Sequence, residues 1–64
     1  MNEIHLTPEE LSERWRGKIK TGTLSNWRHK GGGPAYKKLG RAILYPISAV
    51  EAFEAAATKT NTAQ

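Results

Sequence analysis

The first periodic apolar pair, Leu11 and Trp15, lies one helical turn apart directly behind a cluster of helix-start signals. Thr7 is placed to cap, its hydroxyl accepting from the third amide of the helix. Pro8 falls at the first helical position, where its missing N–H costs nothing. Glu10 completes a capping box, and Leu6 with Leu11 forms a hydrophobic staple. These signals predict a helix over 8–16. Gly17 ends it, and residues 18–22 read as a tight turn with Ile19 pointing inward. A second helix follows over 22–29, with Thr21 as its cap and Leu24 and Trp27 as its buried pair. Gly31-Gly32-Gly33-Pro34 terminates that helix. The run lacks the Lys-Ser/Thr and the following helix of a phosphate-binding loop. Residues 36–39 and 42–45 are short β-prone runs joined through Gly40-Arg41, the pattern of a hairpin, and Pro46 stops the second run. Ser48-Ala49-Val50-Glu51 reads as another capping box, opening a last helix that runs to Ala57 with Val50, Phe53 and Ala57 on one face. Residues 58–64 are small, polar and unpatterned and are expected to be a disordered tail, leaving a single domain over 1–57 without internal repeats.

Size narrows the picture. A chain of 64 residues makes one small domain, and such a domain buries only roughly 60% of its unfolded surface. With no cysteine, disulfides, thiolate zinc sites and a cysteine nucleophile are excluded. His5 and His29 alone cannot build a structural metal site, so no metal and no cofactor are expected. No apolar stretch approaches the roughly 20 residues of a membrane span. The first residues carry neither a basic nor an apolar signal region, so a cytoplasmic protein without a membrane partner is expected.

Charge then points to a partner. Ten Lys/Arg against six Asp/Glu give a net +4. Between Arg14 and Arg41 there is no Asp or Glu at all, whereas Glu3, Glu9, Glu10, Glu13, Glu51 and Glu54 all lie outside that block. A basic centre between acidic ends is a polarised field that favours a polyanion.

The predicted order of helix, tight turn, helix, hairpin, helix is that of a winged helix-turn-helix, mainly α with a small β-hairpin. In such a unit the second helix enters the major groove and the hairpin is a wing. On that helix Thr23, Ser25, Asn26 and His29 are the candidates for base edges, since Asn pairs bidentately with adenine and Ser or Thr serves several bases, and Thr21 at its start counts among the DNA-binding residues. Arg28 follows a core tryptophan and sits at the helix edge, which suits a phosphate contact, and Lys30 extends the basic surface. Lys18 and Lys20 in the turn, and Lys37, Lys38 and Arg41 on the wing, complete it. Arg41 at the tip suits a narrow minor groove. Trp15 and Trp27 read as core, Tyr36 and Tyr45 as residues packing the hairpin onto the helices, and His5 as structural or incidental.

Leu6-Thr7-Pro8-Glu9-Glu10-Leu11, Thr23-Leu24-Ser25-Asn26-Trp27-Arg28, Gly33-Pro34-Ala35-Tyr36, Lys38-Leu39-Gly40-Arg41, Tyr45 and Val50-Glu51-Ala52-Phe53 together resemble the excisionase and AlpA-like group. These are small MerR-type winged helix-turn-helix proteins of phages and integrative elements. The resemblance covers residues 4–55. The turn before the second helix is about one residue longer than is usual in the group, and Ala49 stands where the group often has Asp. The resemblance implies a double-stranded DNA-binding protein in a bacterial cell, associated with the nucleoid. Its implied role is that of a recombination directionality factor that bends DNA for a tyrosine integrase, with cooperative self-association on DNA. An AlpA-like transcription regulator is the alternative, and a protein-binding adaptor the third reading. No catalytic constellation stands out, so an enzyme is not expected.

Overall fold

The computed structural model describes residues 3–58. Residues 59–64 of the expected tail lie outside that range. Thr58, the first residue of that tail, is bonded to the last helix: its N–H and its hydroxyl both donate to the Glu54 carbonyl.

Among the described residues three helices pack with a three-stranded antiparallel sheet. The chain order is β1 (His5–Leu6), α1 (Pro8–Arg14), α2 (Thr21–Lys30), β2 (Lys37–Leu39), β3 (Ala42–Pro46) and α3 (Ile47–Ala57). The expected mainly α architecture is therefore mixed α/β. Strand β3 is central, flanked by β1 and β2. Leu6 pairs with Tyr45 and His5 with Pro46, while Lys37 pairs with Leu44, Lys38 with Ile43 and Leu39 with Ala42. Pro46 thus does not stop the strand before it but closes the ladder as its last residue. Gly40 adopts φ 63°, the positive value that a two-residue tip requires at its first central position. The core is small: Leu11, Leu24, Tyr45 and Val50 are buried, with Leu6, Trp15, Ile19, Trp27, Ile43 and Ile47 packed around them.

The capping box on α1 forms as expected. The Glu10 N–H donates to Thr7 Oγ1 at 3.1 Å and the Thr7 N–H to Glu10 Oε1 at 2.9 Å. The helix stops at Arg14, earlier than the expected Arg16, because Arg16 (φ 60°) and Gly17 (φ 72°) are both left-handed. Two caps differ from expectation. Thr21 is the first residue of α2 and not its cap; Lys20 holds the cap position, with no side-chain hydrogen bond. Ser48 lies inside α3 and forms no capping box, because Pro46 is the cap residue. A remote group serves that helix end instead. Glu3 Oε2 accepts from the Ser48 N–H at 2.8 Å, and the Ile4 carbonyl accepts from the Ile47 N–H at 2.8 Å. Both the free amides and the helix dipole favour a carboxylate there, and the Glu3 carboxyl is accordingly held below its ordinary range by the Ser48 hydrogen bond.

A second long-range tie joins α1 to α3. Arg14 grips Glu54 through Nε (2.7 Å) and Nη2 (2.8 Å), and the Trp15 indole N–H donates to the same carboxylate. Above it Trp15 and Trp27 pack on Phe53, with ring centroids 5.9 and 5.6 Å apart. These half-buried rings, with Ile19 and Ala57, line an apolar groove of about 380 Å³. Arg14 first, then Trp15, holds the Glu54 carboxyl down to about 2 from its ordinary 4.5. A depressed carboxyl stabilises the fold fully above the unfolded value, and this contribution is lost as pH falls through the folded one. Glu54→Gln is therefore expected to lower Tm at neutral pH by roughly 4–8 °C, equivalent to about 1 kcal/mol in so small a domain. The difference in Tm from wild type should shrink as pH falls from about 4.5 to about 2. Thermal melts across that range read it directly, and a constant difference would show that the ion pair does not carry the effect.

Candidate nucleic-acid interface

Helix α2 presents three kinds of position. Leu24 is buried and Trp27 half-buried, as their spacing predicts. Gly22, Asn26 and His29, at i, i+4 and i+7, form the exposed stripe on the opposite side, with Thr21 and Lys30 also exposed beside it. Thr23, Ser25 and Arg28 are half-buried flanks. Of the base-edge candidates, Asn26 and His29 hold the centre of the outward face and Thr23 and Ser25 lie at its margins, while Thr21 stands exposed at its N-terminal end.

Gly22 is a member of that face that sequence reasoning missed. An added Cβ would meet nothing within 4 Å, and its φ is not positive. Neither sterics nor backbone conformation therefore calls for glycine inside this helix, where it costs roughly 0.5–1 kcal/mol relative to alanine. The available signal was a glycine in the first turn of a helix with no turn to make. Lacking a side chain there, the exposed face admits close approach of a ligand to the backbone.

The cations flank this stripe. Lys18 and Lys20 are exposed on the turn, Lys30 at the end of α2, and Lys37, Lys38 and Arg41 on the hairpin. Among the described residues the one ion pair is Arg14–Glu54, so none of these cations forms a direct salt bridge, while the charge of Lys37 reaches the Glu3 carboxylate and helps to hold its carboxyl down. The last turn of α2 gathers Arg28, His29 and Lys30, which also suits the negative end of its dipole. The acids lie elsewhere: Glu9, Glu10 and Glu13 on α1, Glu51 and Glu54 on α3, and Glu3 ahead of β1.

Arg28 differs from the other cations. Its Nη1 donates to the Tyr45 hydroxyl at 2.7 Å, and its guanidinium lies 5.7 Å from the centre of the Tyr36 ring. Tyr45 is 1% exposed and acts as a packing residue, as expected; Tyr36 is 41% exposed and was expected to pack the hairpin down. Its ring rests against Tyr45, with centroids 6.2 Å apart, and leaves one side open. His5 stands away from this surface, its Nδ1 3.0 Å from the Glu3 carbonyl oxygen. No helix among the described residues is long and apolar enough to cross a membrane.

No protein-family model matches the chain, and neither a curated protein nor a solved structure matches it.

Proposed function

We propose that this chain is a winged helix-turn-helix protein that binds double-stranded DNA, with α2 as the recognition helix and the β2–β3 hairpin as the wing. One observation carries the reading. Lys18, Lys20, Lys30, Lys37, Lys38 and Arg41 are exposed and form no direct ion pair among the described residues, while the acids occupy α1, α3 and the segment before β1. Lysines and arginines left unpaired in this way have a polyanion as their natural counter-charge, and neutralising phosphates releases condensed counterions. The polar stripe on α2 supplies donors and acceptors for base edges, with Asn26 at its centre. The resemblance to excisionase and AlpA-like proteins supports a recombination directionality factor that bends DNA for a tyrosine integrase. A transcription regulator is the second role served by the same surface.

Titration of 15N-labelled protein with a mixed-sequence duplex tests the reading. The largest amide shifts are expected between Lys18 and Arg41. Shifts confined to α1 and α3 would overturn it. Energy transfer between dyes on the duplex ends separates the two roles, since a directionality factor must bring those ends closer.

A further inference from the structure

Between the end of α2 and the start of the hairpin lies a recess of about 430 Å³, lined by Arg28, Gly31, Gly32, Gly33, Pro34, Ala35 and Tyr36. Its floor offers one charged group, the Arg28 guanidinium. Two tyrosines fix that group: Tyr45 accepts from Nη1, and Tyr36 lies against the guanidinium. Nε and Nη2 have no hydrogen-bond partner among the described residues. These two donors form one edge of the planar fork, the edge that binds two oxygens of a single anion side by side. Gly31 and Gly32, where an added Cβ would meet nothing within 4 Å, place no side chain at its rim.

We propose that this recess seats one phosphate of the DNA backbone, bound through the Nε–Nη2 edge of Arg28. The inference rests on the duplex-binding reading and adds to it a defined anion site. A backbone phosphate fits better than a base edge for a geometric reason. Arg28 is half-buried and tied back to the hairpin, so its ligand must come to it. Phosphates are the outermost groups of a duplex, whereas bases are reached only by side chains that project into a groove. Tyr45 is then a positioning residue: it holds the guanidinium at a fixed angle, so little side-chain freedom remains to be lost on binding.

Binding of a mixed-sequence duplex measured at several salt concentrations tests the site, with circular dichroism as the folding control. Arg28→Gln is expected to reduce the magnitude of the log K against log salt slope by about 0.9, one phosphate on B-DNA. Tyr45→Phe keeps the charge and should leave the slope unchanged, while weakening binding about three- to tenfold through the freed side chain. In wild-type protein the Arg28 Nε–H resonance should shift on adding the duplex, a reading that needs no variant. An unmoved Nε–H signal, or an unchanged slope in folded Arg28→Gln, would overturn the phosphate site while leaving duplex binding intact. Tyr45→Phe binding as tightly as wild type would remove the positioning role. A wild-type chain with no affinity for the duplex at low salt would overturn the DNA reading itself.

Discussion

Gly33→Ala is expected to destabilise the domain by about 2–5 kcal/mol, through two separate penalties. Gly33 sits at φ +78°, where an L side chain is strained by roughly 1–2 kcal/mol. An added Cβ would also lie 2.7 Å from Cε3 of Trp27 and 3.3 Å from its Cβ, and overpacking of that kind costs typically about 1–3 kcal/mol. The Trp27 ring also packs on Phe53, with centroids 5.6 Å apart, so moving it aside would disturb a second contact. At about 0.05–0.15 kcal/mol of stability per residue, a chain of this length would lose a large share of its margin. Gly32→Ala is the control. Nothing lies within 4 Å of the added carbon and its φ is not positive, so stability should hold or rise by about 0.4–1 kcal/mol. Urea titrations of both variants compare them directly. Equal stability would mean that Trp27 can move aside, and that the glycine-rich run does not fix the ring.

Replacing both Lys37 and Lys38 with alanine is expected to reduce the magnitude of the slope of log K against log salt by about 1.8, two phosphates on B-DNA. At 0.1 M salt that corresponds to weaker duplex binding on the order of 60-fold relative to wild type, with the difference vanishing towards 1 M. The register makes the prediction sharper. Directly paired residues of an antiparallel ladder share a face and neighbours along a strand alternate. Lys38, opposite Ile43, lies on the face turned to the core, and Lys37, opposite Leu44, lies on the other. A hairpin entering a groove edge-on therefore carries one lysine towards each sugar-phosphate strand, and each single variant should lose about half the effect. Sequence preference should change little, because phosphates carry no sequence information. Arg41→Ala should differ, weakening A·T-rich sites most, where the minor groove is narrow. All these residues are exposed and none caps a helix, so the variants should stay folded. An unchanged slope in the folded double variant would mean that the hairpin faces away from DNA.

Much of the fold was legible because it is local. Thr7, Pro8 and Glu10 define the start of α1 within four residues. Gly31 ends α2 at φ 86°, and Gly40 turns the hairpin over two residues. Each is a contact between near neighbours, which spacing alone encodes. The segregation of charge was equally plain, since it needs only the order of residues. The buried positions Leu11, Leu24 and Val50 followed from helical period.

Some misses were local, such as the end of α1 at Arg14 and Lys20 in place of Thr21 at the start of α2, but the larger ones have the opposite character. The Ser48 capping box was a valid local pattern, but the carboxylate that serves that helix end is Glu3, 45 residues away in sequence. Arg14 and Trp15 meet Glu54 across 40 and 39 residues, and Arg28 meets Tyr45 across 17. Strand β1 exists only because β3 lies beside it, for two residues cannot hold a ladder alone. The sequence by itself determined the helices, the tip of the hairpin and the sign of the exposed surface, because neighbours in the chain are unavoidably neighbours in space. Only the tertiary structure decided which remote carboxylate caps α3, why Gly33 must lack a side chain, and that Arg28 is held by two tyrosines with one edge open. Those outcomes depend on how the elements pack, and packing brings together groups whose separation along the chain carries no record of their contact.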